Sequence, residues 1–199
     1  MRVLMPLLMG ALCWTAPVQA QMSQGFKFLE AVRKKDGQKV EEVLNEPGTT
    51  LINTRDVTNG QTALHIVTAR RDTTWMTYML AKGANVNARD SRGVSPLVLA
   101  CNLGFIEGVQ LLVDRGARVD DPNDAGETPL ISAVHRRDTA MMRILLKAGA
   151  DPDRSDNSGR SARDYATLSG KTGALVAEIE ASTRPRGQRA GSAVYGPSF

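Results

Sequence analysis

The chain has 199 residues, with 25 Lys plus Arg against 21 Asp plus Glu, a formal net charge of +4 and 42% apolar residues. That length can bury a core, and the balance excludes a mostly disordered chain, a collagen-like rod and a multi-span membrane protein. Two cysteines and two histidines exclude a disulfide scaffold and leave little material for a metal site or a histidine-based catalytic centre.

Residues 1–20 read as a targeting segment. Arg2 is the only charge before Lys27, and residues 3–14 are a nearly unbroken apolar run. As a helix that run rises about 18 Å, short of the about 30 Å of a hydrocarbon core. With small residues around Val18-Gln19-Ala20, it predicts a secretory signal cleaved after Ala20. An uncleaved anchor is the competing reading, and Leu12 argues against lipidation at Cys13. Cleavage leaves Cys101 as the single thiol, so stability must come from packing. No Asn-x-Ser/Thr acceptor occurs, which fits export to a bacterial periplasm. At the other end, residues 182–199 hold Arg184, Arg186 and Arg189 with no acid and predict a disordered basic tail. Charges over residues 21–181 balance to zero, so no nucleic-acid face is expected.

Between these ends the chain repeats every 33 residues. Gly60, Gly93, Gly126 and Gly159 stand at that spacing, each followed after one residue by Thr62, Ser95, Thr128 or Ser161. A second register, Gly83, Gly116 and Gly149, keeps the same step. The hydroxyl residues predict helix N-caps, and Pro96 and Pro129 suit the first helical position, where a missing N–H costs nothing. Leu64, Leu97 and Leu130 begin an apolar stripe. Asp36, Asp72 and Asp138 predict caps of a second helix carrying Met76 and Met79, Val109 and Leu112, or Met142 and Leu145. Gly83, Gly116 and Gly149 then end that helix.

The lines Thr128-Pro129-Leu130 and Ser95-Pro96-Leu97, with His65 after Thr62-Ala63-Leu64, resemble the ankyrin repeat, whose fingerprint is Thr-Pro-Leu-His at this period. The resemblance implies an all-α solenoid of about five helix-turn-helix units with extended connecting loops. The expected units are 26–59, 60–92, 93–125, 126–158 and 159–181, within a domain spanning 21–181. The outer two serve as caps, since the ends of a stack must present polar surface. Leu168, Leu175 and Ile179 are expected on the helices of the last unit.

The resemblance also implies a concave binding face. Carried onto this chain, it comprises Arg55, Thr58, Asn59 and Gln61; Arg89, Ser91, Arg92 and Val94; Asp124, Ala125 and Glu127; and Asn157, Ser158 and Arg160. The loop with Arg89 and Arg92 is basic and the next, with Asp120, Asp121, Asp124 and Glu127, acidic, a pairing suited to orienting a partner. A second candidate is a basic edge of Lys34, Lys35, Arg70, Arg71, Arg136 and Arg137 at equivalent inter-helix turns, interrupted by Leu103-Gly104.

No nucleophile elbow, phosphate loop or metal-ligand spacing occurs. His65 reads as a helix-start hydrogen-bonding residue and Cys101 as a small buried apolar one, leaving a hydrolase centred on either as a minor reading. The expectation is a monomeric, non-catalytic, exported adaptor without cofactor or metal, binding a folded protein. Attachment to an anionic membrane through the basic edge and tail is the alternative.

Overall fold

The computed structural model describes residues 18–46, 48–170 and 173–183, with side chains for those between 24 and 182. Ten α-helices follow among them: α1 Val18–Lys34, α2 Gly37–Leu44, α3 Ala63–Ala69, α4 Thr73–Ala81, α5 Pro96–Leu103, α6 Ile106–Asp114, α7 Pro129–His135, α8 Thr139–Lys147, α9 Ala162–Leu168 and α10 Ala174–Thr183. A short 3-10 turn, Leu51–Asn53, lies in the first connection. No strand occurs among the described residues, only an isolated bridge between Ser155 and Ser161.

Local chemistry sets these boundaries. Ser95 and Thr128 accept from the N–H groups of Val98 and Ile131, satisfying donors that the first helical turn leaves unpaired. Asp36, Asp72 and Asp138 cap α2, α4 and α8 in the same way, at 3.0–3.1 Å. Pro96 and Pro129 open α5 and α7. The second helices stop at Gly83, Gly116 and Gly149, whose φ of 82–95° lies in the left-handed region.

The helices stack in two rows. In the inner row α1, α3, α5, α7 and α9 each pack on the next, and in the outer row α4, α6, α8 and α10 do the same. The core runs between the rows: Phe28, Leu64, Leu97 and Leu130 from the inner helices meet Met76, Met79, Leu112, Met142 and Leu145 from the outer ones, all of them buried. Each such side chain withdrawn from water is worth about 1.5–3 kcal/mol. Because no hairpin can cover its own stripe, that gain exists only in the stack.

The described part of α1 begins at Val18 and that of α10 reaches Thr183; residues 184–199, with the three tail arginines, lie outside the described residues, as do residues 1–17 with most of the expected signal. Leu168, Leu175 and Ile179 lie on α9 and α10, where they were expected; Ile179 is buried, whereas Leu168, the final residue of α9, is 68% exposed.

Candidate binding face

Each pair of hairpins is joined by a finger built on one polar side chain. Asp56, Asp90, Asn123 and Asp156 accept from backbone N–H groups two to four residues on, those of Thr58, of Arg92 and Val94, of Ala125 and Glu127, and of Ser158 and Arg160. These bonds hold the turn without a strand partner. Successive fingers are joined by one backbone bond each: Ser91 N–H to Asn59 O at 2.9 Å, Asp124 N–H to Arg92 O at 3.2 Å and Asn157 N–H to Ala125 O at 3.2 Å. The turn glycine makes this approach feasible. At Gly126, with φ of 79°, a Cβ would stand 2.5 Å from the Asn157 nitrogen.

Two finger carboxylates, Asp56 and Asp156, are strongly stabilised as anions. The Thr58 hydroxyl, its N–H and then Arg33 hold Asp56 down to about 2. Asp156 lies well below the usual carboxylate range, chiefly through Ser158 Oγ and then the Tyr165 hydroxyl, which donates to it at 2.7 Å.

Most residues expected on the face are at least partly open to solvent. Arg55, Thr58, Asn59, Ser91, Arg92, Asp124, Ala125, Asn157, Ser158 and Arg160 are exposed, and Gln61, Arg89 and Glu127 are half-buried. Val94 is not: it is buried, and its carbonyl accepts from His65 Nε2 at 2.9 Å. The basic and acidic fingers meet at one ion pair. Arg89 pairs with Asp124 at 3.6 Å. Glu127 accepts from Ser132 Oγ at 3.0 Å and from Asn123 Nδ2 at 3.2 Å, and lies 3.4 Å from His135 Nδ1.

The structure adds a column that sequence reasoning missed. Ala69, Asn102, His135 and Leu168 are exposed in the last turns of α3, α5, α7 and α9. The contact of His135 with Glu127 puts this column on the finger side. Its members are themselves 33 residues apart, the same step as the glycines, so the period carried the signal.

The two histidines and the buried cysteine have packing roles. His65 Nδ1 accepts from Thr62 N–H at 3.2 Å and lies 2.9 Å from Thr62 Oγ1. Nε2 therefore carries the proton that it gives to Val94 O, and the ring is neutral. Burial pushes its pKa down, against the opposing pull of the Val94 bond and of Asp90. Cys101 is fully buried and its thiol is pushed far up by desolvation, the reverse of what a reactive thiol needs. Ser132, Glu127 and His135 do not form a relay, because serine and histidine both face the carboxylate and not each other. Among the described residues no group of three or more His, Cys, Asp or Glu could hold a metal ion.

The basic edge resolves into clamps. Arg70 Nη1 donates to the carbonyls of Val32 and Arg33 in the preceding repeat, with its guanidinium 5.6 Å from the Trp75 ring centre. Arg71 reaches forward to Leu103 O. Arg136 reaches back to Asn102 O at 3.0 Å, and Arg137 forward to Ser169 O at 3.3 Å. Lys35 pairs with Asp72 at 2.8 Å and Lys34 with Glu30 at 3.3 Å. These arginines of the second and fourth repeats thus donate, and the first, third and fifth repeats accept, at carbonyls in the last turns of their helices; Val32 O also takes the Lys35 N–H. The Leu103-Gly104 interruption is where two arginines arrive. A Cβ on Gly104 would stand 2.9 Å from Arg136 Cζ.

No helix among the described residues is long and apolar enough to cross a membrane. Two family profiles match: one described as ankyrin repeats (3 copies) over residues 28–123, the other as ankyrin repeats (many copies) over residues 112–166.

Proposed function

Since this chain belongs to the ankyrin-repeat family, whose members generally mediate protein–protein interaction, we propose that it is an exported adaptor. It binds one folded protein partner on the face formed by its fingers and inner helices. The observation that carries this reading is the geometry of that face. Four fingers tied by backbone bonds stand beside an exposed column of Ala69, Asn102, His135 and Leu168. A surface ordered before contact loses little conformational entropy on docking.

Export to a bacterial periplasm is supported by Arg2, the apolar run 3–14 and the small residues before Gln21. A non-catalytic role agrees with the packing duties of His65 and Cys101. Membrane attachment through the basic edge is disfavoured by the clamps, which commit those arginines to neighbouring carbonyls. A photo-crosslinking residue placed at Asn102 or His135 is expected to trap a partner in cells, whereas one at Lys147, exposed on α8, should not. Equal trapping from both faces, or from neither, overturns the reading.

A further inference from the structure

We propose that the partner meets this face with an acidic surface, a carboxylate-bearing loop or edge that is recognised by Arg55, Arg92 and Arg160. This rests on the adaptor reading above and adds the chemistry of the partner.

The inference comes from which charges on the face are already answered. Every finger carboxylate is engaged. Asp56 holds Arg33 and Thr58, Asp90 is buried under its own turn, and Asp124 faces Arg89. Glu127 takes Asn123 and Ser132, and Asp156 takes Ser158 and Tyr165. The cations differ. Among the described residues the guanidinium groups of Arg55 and Arg160 make no hydrogen bond and no ion pair within 4.0 Å, and both residues are exposed. Arg92 has a side chain 77% exposed, with one long contact of 3.7 Å to the already bonded Asp90.

Comparing equivalent positions shows why Arg55 is left over. Arg89 lies beside the turn glycine Gly93 and meets Asp124 of the next finger. Arg55 lies likewise beside Gly60, but the residue next to that glycine on the following finger is Ser91, which brings no charge. The same slot is a closed ion pair in one repeat and an open cation in another.

Spacing argues for a macromolecule with several acids. Arg55 and Arg92 stand on adjacent fingers, about 8–10 Å apart by the spacing of packed helices, and Arg160 is two repeats further. One small anion cannot span them. A continuous phosphate backbone would also meet Asp124, 65% exposed between Arg92 and Arg160, whereas a protein surface can place a neutral or basic group there. Planar guanidinium groups suit bidentate recognition of carboxylates. At exposed sites such charges act mainly on orientation and association rate.

The test follows amide shifts by NMR in the signal-free chain with three probes: decaglutamate, decalysine and oligothymidine. Decaglutamate is expected to move the amides of Arg55, Arg92 and Arg160 and their finger neighbours, with affinity falling steeply as salt is raised. Replacing the three together, Arg55→Glu, Arg92→Glu and Arg160→Glu, should weaken that binding about tenfold, the low end of what a steering field supplies. The triple serine variant controls for fold and should show a smaller loss. Shifts confined to residues 184–199, equal finger shifts with decalysine, or tighter finger binding by oligothymidine each overturn the inference. If the crosslink at Asn102 forms while charge reversal leaves decaglutamate affinity unchanged, the acidic-partner inference fails and the adaptor reading stands. If no crosslink forms, the adaptor reading fails.

Discussion

Leu130 and His65 show two ways in which one residue holds a repeat in place. Leu130 is fully buried in a central unit packed on both sides. Leu130→Ala leaves a cavity that the flanking helices cannot close, and is expected to cost about 2–5 kcal/mol in a urea melt. His65 is worth a pH-dependent amount. Its folded pKa is depressed below 6.5 by burial, so the unfolded chain binds protons more readily. The stabilisation is therefore full above pH 6.5 and is lost as pH falls through the folded value. His65→Gln should melt lower than the parent at pH 7.5 and lose less on going to pH 5.5. A parallel decline in both proteins would show that the ring does not titrate on unfolding. The caps, the start of each apolar stripe and the helix-start hydrogen bonding of His65 were all legible in the sequence, because each is dictated within four residues along the chain. The burial of Val94 was not, since its carbonyl is engaged by a side chain from the preceding repeat.

At the scale of the helical element, the arginine clamps work against the local backbone. Lys35, Arg71 and Arg137 sit at φ of 57–58°, a conformation that costs an L side chain about 1–2 kcal/mol and glycine almost nothing. At Arg71 the bond to Leu103 O offsets that strain. Arg71→Gly removes clamp and strain together, whereas Arg71→Ala removes only the clamp. The glycine variant should be more stable than the alanine variant by about 1 kcal/mol, as read by chemical denaturation; equal stabilities would mean that the turn is unstrained. Lys34-Lys35, Arg70-Arg71 and Arg136-Arg137 were visible in the sequence as a charged row. What was not visible is that a helix C-terminus 32–34 residues away in sequence supplies acceptors for Arg71, Arg136 and Arg137. A basic edge open to a partner and a basic edge closed on its neighbours have the same sequence.

Across the whole molecule, stability depends on neighbours. The inner units contact a repeat on each side, and the terminal units on one side only. The last unit adds its own fastening, the bidentate Arg143–Glu178 pair at 2.6 and 2.9 Å between α8 and α10. At the other end α2 and α4 leave a cavity of about 270 Å³ lined by Glu41, Trp75 and Tyr78. Amide hydrogen exchange should accordingly be slowest in α5 and α7 and faster in α2 than in α10. Uniform protection along the chain would argue for one cooperative globule in place of a stack. If export proceeds as proposed above, Edman sequencing of the mature chain should begin at Gln21; an N-terminus at Met1 would overturn the cleavage.

By itself the sequence determined that this protein is a stack of α-hairpins with a repeating buried stripe. Caps, prolines and left-handed glycines are requirements of the local backbone, and repeating them every 33 residues repeats the fold. Only the tertiary structure decided which surface charges remain free. Arg89, Arg71 and Arg136 find their partners across repeat boundaries while Arg55 does not. Those pairings depend on distances that come into being only when one hairpin is set against the next.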